Sequence, residues 1–106
     1  MSEPTVPPET IELTFVPQPR ASLTSVELDG ETVVYDADTG AIHLLDHIAT
    51  VVWTSFDGQS SLADVVDDLA DAFSADRDTV SLDVLRLARD LGSQGLLDGV
   101  QPAEAG

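Results

Sequence analysis

The stretch GAIHLLDHIATVVWTSFDG, residues 40–58, changes its period in the middle. Ile42 and Leu44 alternate with other side chains as in a half-buried strand. From Ile48 onward the apolar residues fall three and four apart, as on a helix. A strand here runs straight into a helix, with Asp46 as N-cap, an apolar face of Ile48, Val51, Val52 and Phe56 with Trp53 beside it, and Gly58 as the stop.

Working back toward the N-terminus, two further strands precede this one, over 25–29 and 32–36, with the third over 41–45. The first two are joined through Asp29-Gly30, a hairpin signal, and the second two through the turn Asp36-Ala-Asp-Thr-Gly40. That turn begins like a calcium loop but lacks the later acidic ligands, so an ordinary turn is expected. Working forward, a second helix opens with Ser61 and Asp64 in capping-box positions and carries a stripe of Leu62, Val65, Val66, Leu69 and Phe73. A third helix is expected over 79–91, with Val80, Val84, Leu87, Ala88 and Leu91 on its core face. Leu82, Leu85, Arg86 and Arg89 gather on a different side of it. That apolar and basic side suits an apolar, acidic partner; alternatively, Arg86 pairs with Asp90 and the two leucines cover the sheet.

The fold class expected is therefore α+β, a three-stranded antiparallel sheet followed by three helices. Five of the six prolines precede Ala21, so residues 1–20 read as a flexible proline-rich arm, 21–100 as the domain, and 101–106 as a disordered tail. Ile11, Leu13 and Phe15 alternate within the arm, and a tethered strand of this kind is expected to be able to cover a free sheet edge.

The bulk numbers exclude several function classes. With 106 residues the chain buries about 60 to 65% of its unfolded surface, too little for a large catalytic cleft. It has no Cys, hence no disulfide, thiolate metal site or cysteine nucleophile. His43 and His47 lack a third ligand and read as surface residues, no phosphate-binding glycine loop or nucleophile elbow is present, and no cofactor is expected. No signal peptide or membrane-spanning run is seen, which points to the cytoplasm. Twenty acidic residues stand against four Arg and no Lys, a net charge of −16 that repels nucleic acid and anionic membranes. A non-catalytic binding module fits these facts better than an enzyme.

The run VVYDADTGAIHLLDHIATVVWTSFDGQSSLADVVDDLADAF, followed by LGSQGLLDG, resembles the PqqD-like family, also called RiPP recognition elements, over roughly residues 19–100. The resemblance implies a winged-helix-like domain that binds the leader of a ribosomally made precursor peptide. It also implies that the domain presents the leader to a modifying enzyme, such as a radical SAM protein, a cyclodehydratase or a leader peptidase. It implies that the leader adds as a strand beside Ala41, Ile42, His43, Leu44 and Leu45, with the third helix as the other wall of the groove. Leu82, Leu85, Arg86 and Arg89 would then receive an apolar, acidic leader. Asp46 departs from the Asn more usual at that position. A winged-helix DNA-binding regulator and a regulatory interaction subunit are the other readings, and a monomer or an edge-strand dimer both fit an exposed edge.

Overall fold

The structure, a computed structural model, describes residues 6–101. Three strands, β1 (Leu23–Leu28), β2 (Glu31–Asp36) and β3 (Ile42–Leu45), form an antiparallel sheet in the order β1-β2-β3. Helices α1 (His47–Thr54), α2 (Leu62–Ala72) and α3 (Arg77–Ser93) follow. This is the α+β, winged-helix-like order expected from the sequence.

Local chemistry explains each boundary. Asp29 and Gly30 turn β1 into β2 with φ of 54° and 83°, the left-handed pair that Asp-Gly supplies. Between β2 and β3 the Asp36 carboxylate accepts the Asp38 N–H at 2.9 Å and the Ser22 hydroxyl at 3.2 Å, and Gly40, at φ 78°, donates to the Asp36 carbonyl. The DADTG segment is thus an Asx turn closed by glycine, which is why Asp36 is buried. The same hydrogen bonds, the Asp38 N–H foremost, hold its carboxyl below the usual range. Asp46 caps α1 by accepting from the Ala49 N–H at 2.8 Å, and Ser61 and Asp64 form the expected capping box at α2. The β3-to-α1 junction is sharp because Asp46 is extended and already carries the cap of the next helix.

Register assigns the faces of the sheet. Thr32 lies opposite Leu45 and Glu27, and Val34 opposite His43 and Ser25. These residues look toward the helices. Val33 opposite Leu44 and Val26, and Tyr35 opposite Ile42, look the other way. Val34, Leu45, Val52, Trp53, Leu62, Val65, Val66, Val84, Ala88 and Leu91 make the core, and the Thr32 hydroxyl reaches the Thr50 hydroxyl at 3.0 Å within it.

Two expectations are corrected here. The covered face of α1 is Ala49, Thr50, Val52 and Trp53, whereas Ile48, at 66% exposed, and Val51 point outward. The helix meets the sheet on only one side, and Thr50 is tolerated there because its hydroxyl also donates to the Leu45 carbonyl at 3.3 Å. The second correction concerns the expected flexible arm. Ile11 is 1% exposed and belongs to the core. The carbonyls of Phe15 and Leu13 accept the Leu62 and Ala63 N–H groups, both at 2.9 Å, which are the unpaired amides that open α2. The same segment zips to the C-terminal residues: Arg20 N–H to the Leu96 carbonyl, Asp98 N–H to that of Gln18, and Val6 N–H to that of Gly99. Residues 6–20 are accordingly part of the folded body, and they lie against α2 and α3 rather than along β3. Residues 1–5 of the arm and 102–106 of the expected tail lie outside the described residues.

Candidate functional site

β3 pairs with β2 alone, so among the described residues its other edge is unpaired. Asp36 N–H donates to the Ala41 carbonyl at 2.9 Å, which fixes the phase of the ladder. Hydrogen-bonded pairs alternate in an antiparallel ladder, so Ala41 turns its carbonyl, and His43 and Leu45 both their backbone groups, toward β2. Ile42 and Leu44 turn theirs outward. Their side chains, 65% and 78% exposed, stand on the outer face of the sheet. The edge therefore presents two N–H and two C=O groups in the spacing that accepts one more strand.

An apolar cavity of about 230 Å³ lies among the three helices, reached from α1 directly after β3. Ile48, Val51 and Val52 of α1, Leu69 of α2 with Phe73 at its end, and Val80, Asp83, Val84 and Leu87 of α3 line it. Farther along α3, the Gln94 amide oxygen lies 3.1 Å from His43 Nδ1, linking β3 to the helix end. Asp83, Leu87 and Gln94 are spaced four and seven residues apart and so share one side of α3. That side, not the one expected, looks toward β3 and α1.

The four helix residues expected at the groove do not line this cavity. Leu82, Leu85, Arg86 and Arg89 come together, with Asp90, around a separate pocket of about 360 Å³. Leu85 and Arg89 also border Glu12, Leu13 and Thr14. Arg89 donates from Nε at 3.2 Å and Nη2 at 2.9 Å to the Ile11 carbonyl, so its guanidinium clamps the N-terminal segment onto α3. The missed residues were visible as letters: Leu87 and Phe73 read as core, yet the helix ends leave a hollow between them. Nothing in the sequence marks Gln94 as the partner of His43.

The two histidines diverge. His43 reaches Gln94, while His47 lies against the β1–β2 turn, where a Cβ on Gly30 would come within 2.7 Å of its ring. Three of the four arginines have internal partners: Arg20 with the Gly95 carbonyl at 3.4 Å, Arg77 with Asp67 at 2.6 Å, and Arg89 with Ile11. That distribution leaves no basic stripe of the sort that tracks a phosphate backbone. Asp57, like Asp36, has its carboxyl held low, chiefly by the Ser60 N–H and then that of Gln59. Among the described residues no helix is long and apolar enough to cross a membrane.

Comparison with curated proteins finds no match. Among solved structures, TbiB1 in complex with the TbiA(beta) leader peptide superposes with a TM-score of 0.71 at 26% identity, covering 79% of this chain and 98% of that one. The family model for coenzyme PQQ synthesis protein D matches residues 31–97, from the start of β2 through α3 to Leu97 and so over more than half of the chain; the protein belongs to the PqqD family.

Proposed function

We propose that this protein binds the leader segment of a ribosomally made precursor peptide by strand addition to β3 and presents it to a modifying enzyme. The observation that carries the reading is the outward-facing backbone of Ile42 and Leu44 on the unpaired edge of β3. Membership of the PqqD family and the likeness to TbiB1, which was solved with a leader peptide, support it. Backbone bonds to the edge supply affinity that does not depend on sequence, and the cavity supplies selection. An apolar leader side chain seated among Ile48, Val51, Val80 and Leu87 fits that cavity, with Asp83 at its border. Residues 41–45 are thus the core of the site. Leu82, Leu85, Arg86 and Arg89 serve its stability or a neighbouring contact.

The role is binding without catalysis. General acid chemistry needs a desolvated carboxyl with a raised pKa, and the clear shifts at Asp36 and Asp57 both run downward. The radical SAM, cyclodehydratase and leader-peptidase classes are all compatible partners for such a module.

Fluorescence polarisation of labelled candidate leaders, taken from short reading frames near the gene, against scrambled controls, tests the proposal. Saturable binding of a true leader but not of its scrambled control supports it. Equal binding of leader and control, or binding of none, contradicts it.

A further inference from the structure

The outer face of the sheet is built like an interface. Antiparallel sheets with one solvated face ordinarily place polar side chains there. Here Val26, Leu28, Val33, Tyr35, Ile42 and Leu44 occupy most of it, with Thr24 and Glu31 at its borders, and cross-strand register joins Val26, Val33 and Leu44 into one row and Thr24, Tyr35 and Ile42 into the next. Leu28 is 60% exposed and Ile42 and Leu44 still more so, in a chain of net charge −16. No described element of the chain lies over this face: the helices and residues 6–20 all pack on the other side or on each other.

Charge identifies the kind of occupant. The margins of the face carry Asp29 and Glu31 at one end and Asp38 at the other, all exposed, and no Arg lies on any of the three strands. A second copy would bring the same carboxylates, and another −16, against them. A surface that is apolar in its centre and ringed by Lys and Arg matches both features.

We infer that the outer face of the sheet, centred on Val26, Val33, Tyr35, Ile42 and Leu44, is the docking surface for the modifying enzyme, through an apolar enzyme patch with a basic rim. This rests on the leader-binding reading for the identity of the partner. It also gives that reading a geometry. A leader strand added beside β3 extends the same pleated face, because its alternate side chains stand next to Ile42 and Leu44. Enzyme and leader then share a border, and each strengthens the binding of the other by the same factor.

The test uses the full chain and a purified candidate modifying enzyme of the radical SAM, cyclodehydratase or leader-peptidase class from the same genome, titrated by interferometry with and without saturating leader. The variant Val26→Thr/Leu28→Thr alters the strand farthest from the leader edge while keeping strand propensity, and Tyr35→Thr probes the centre. Enzyme affinity is expected to fall at least about tenfold in each, with leader affinity held within about twofold. Asp29→Asn/Glu31→Gln/Asp38→Asn should slow association and flatten its salt dependence. Unchanged enzyme affinity in the Thr variants overturns the inference, as does the absence of an enzyme complex at about 50 µM, a concentration at which even weak specific pairs associate. Wild-type dimers in sedimentation velocity that the Thr variants abolish would assign the face to a second copy and overturn it as well. Failure of the leader to bind, with the enzyme still docking on these residues, would sink the leader reading and leave the docking surface standing.

Discussion

Replacing Leu44 by proline gives a sharp test of strand addition. Leu44 N–H points away from β2, so the substitution removes no ladder hydrogen bond, and an edge strand is where proline is tolerated. Its side chain is largely exposed, so little packing is lost. An incoming strand, by contrast, loses a donor. One neutral backbone hydrogen bond is worth about 0.5–1.5 kcal/mol net, which corresponds to roughly two- to thirteenfold in Kd. The pyrrolidine ring also occupies the space where the partner carbonyl approaches, so the loss should lie at or above the upper end of that range. Leu44→Val retains the N–H and serves as the side-chain control. His43→Pro removes a donor that faces β2 and should unfold the sheet instead. The assay is leader titration by fluorescence polarisation, with thermal melts beside it. A folded Leu44→Pro protein that binds leader within about twofold of wild type would refute the assignment of this edge.

Other perturbations separate stability from recognition. Arg89→Ala removes two charge-assisted bonds to the Ile11 carbonyl and should cost about 1.5–3 kcal/mol of stability in denaturant melts while leaving leader affinity near wild type. Gly92→Ala would gain up to about 1 kcal/mol of helix propensity, yet its Cβ would stand 2.7 Å from a methyl of buried Val100 and 3.3 Å from Ile11. Overpacking of about 1–3 kcal/mol should win, and a lowered melting temperature checks it. Leu87→Asp places a charge in the apolar cavity and should abolish leader selection over a scrambled peptide in polarisation assays. Asp36, whose folded pKa lies below its ordinary 3.8, contributes stability that is present above that value and lost as pH falls through the folded pKa. Melts from pH 6 down to about pH 2.5 should therefore fall less steeply on the acid limb for Asp36→Asn than for wild type.

The sequence marked its own punctuation well. Asp29-Gly30, Asp46 and the Ser61/Asp64 box each act through local backbone chemistry, so their meaning does not depend on the rest of the fold. The faces of short helices were less legible. α1 has apolar residues nearly all round, and only the sheet decides that Val52 and Trp53 turn in while Ile48 and Val51 turn out. The N-terminal segment was misread for a different reason. Its contribution is carbonyl groups that accept from the free amides of α2, and carbonyls leave no trace in residue identity. Once Ile11 is seated, Arg89 is committed to it, and the basic side of α3 that looked like a peptide-binding wall becomes the fastening of that segment. The end of β3 was legible because the period changes there, whereas a peptide-accepting edge was implied only by the family resemblance. The cavity among the helices was not legible, since Phe73 and Leu87 carry the same letters whether they fill a core or border a hollow.

The most direct measurement is amide hydrogen exchange of the isotopically labelled protein by NMR, with and without saturating leader peptide. His43 and Leu45 amides should be protected in both states, because their N–H groups face β2, whereas those of Ile42 and Leu44 should gain protection only when the leader is bound. Bound leader that leaves Ile42 and Leu44 exchanging freely, with new protection along β1 or around Leu82 and Arg86, would contradict strand addition at β3.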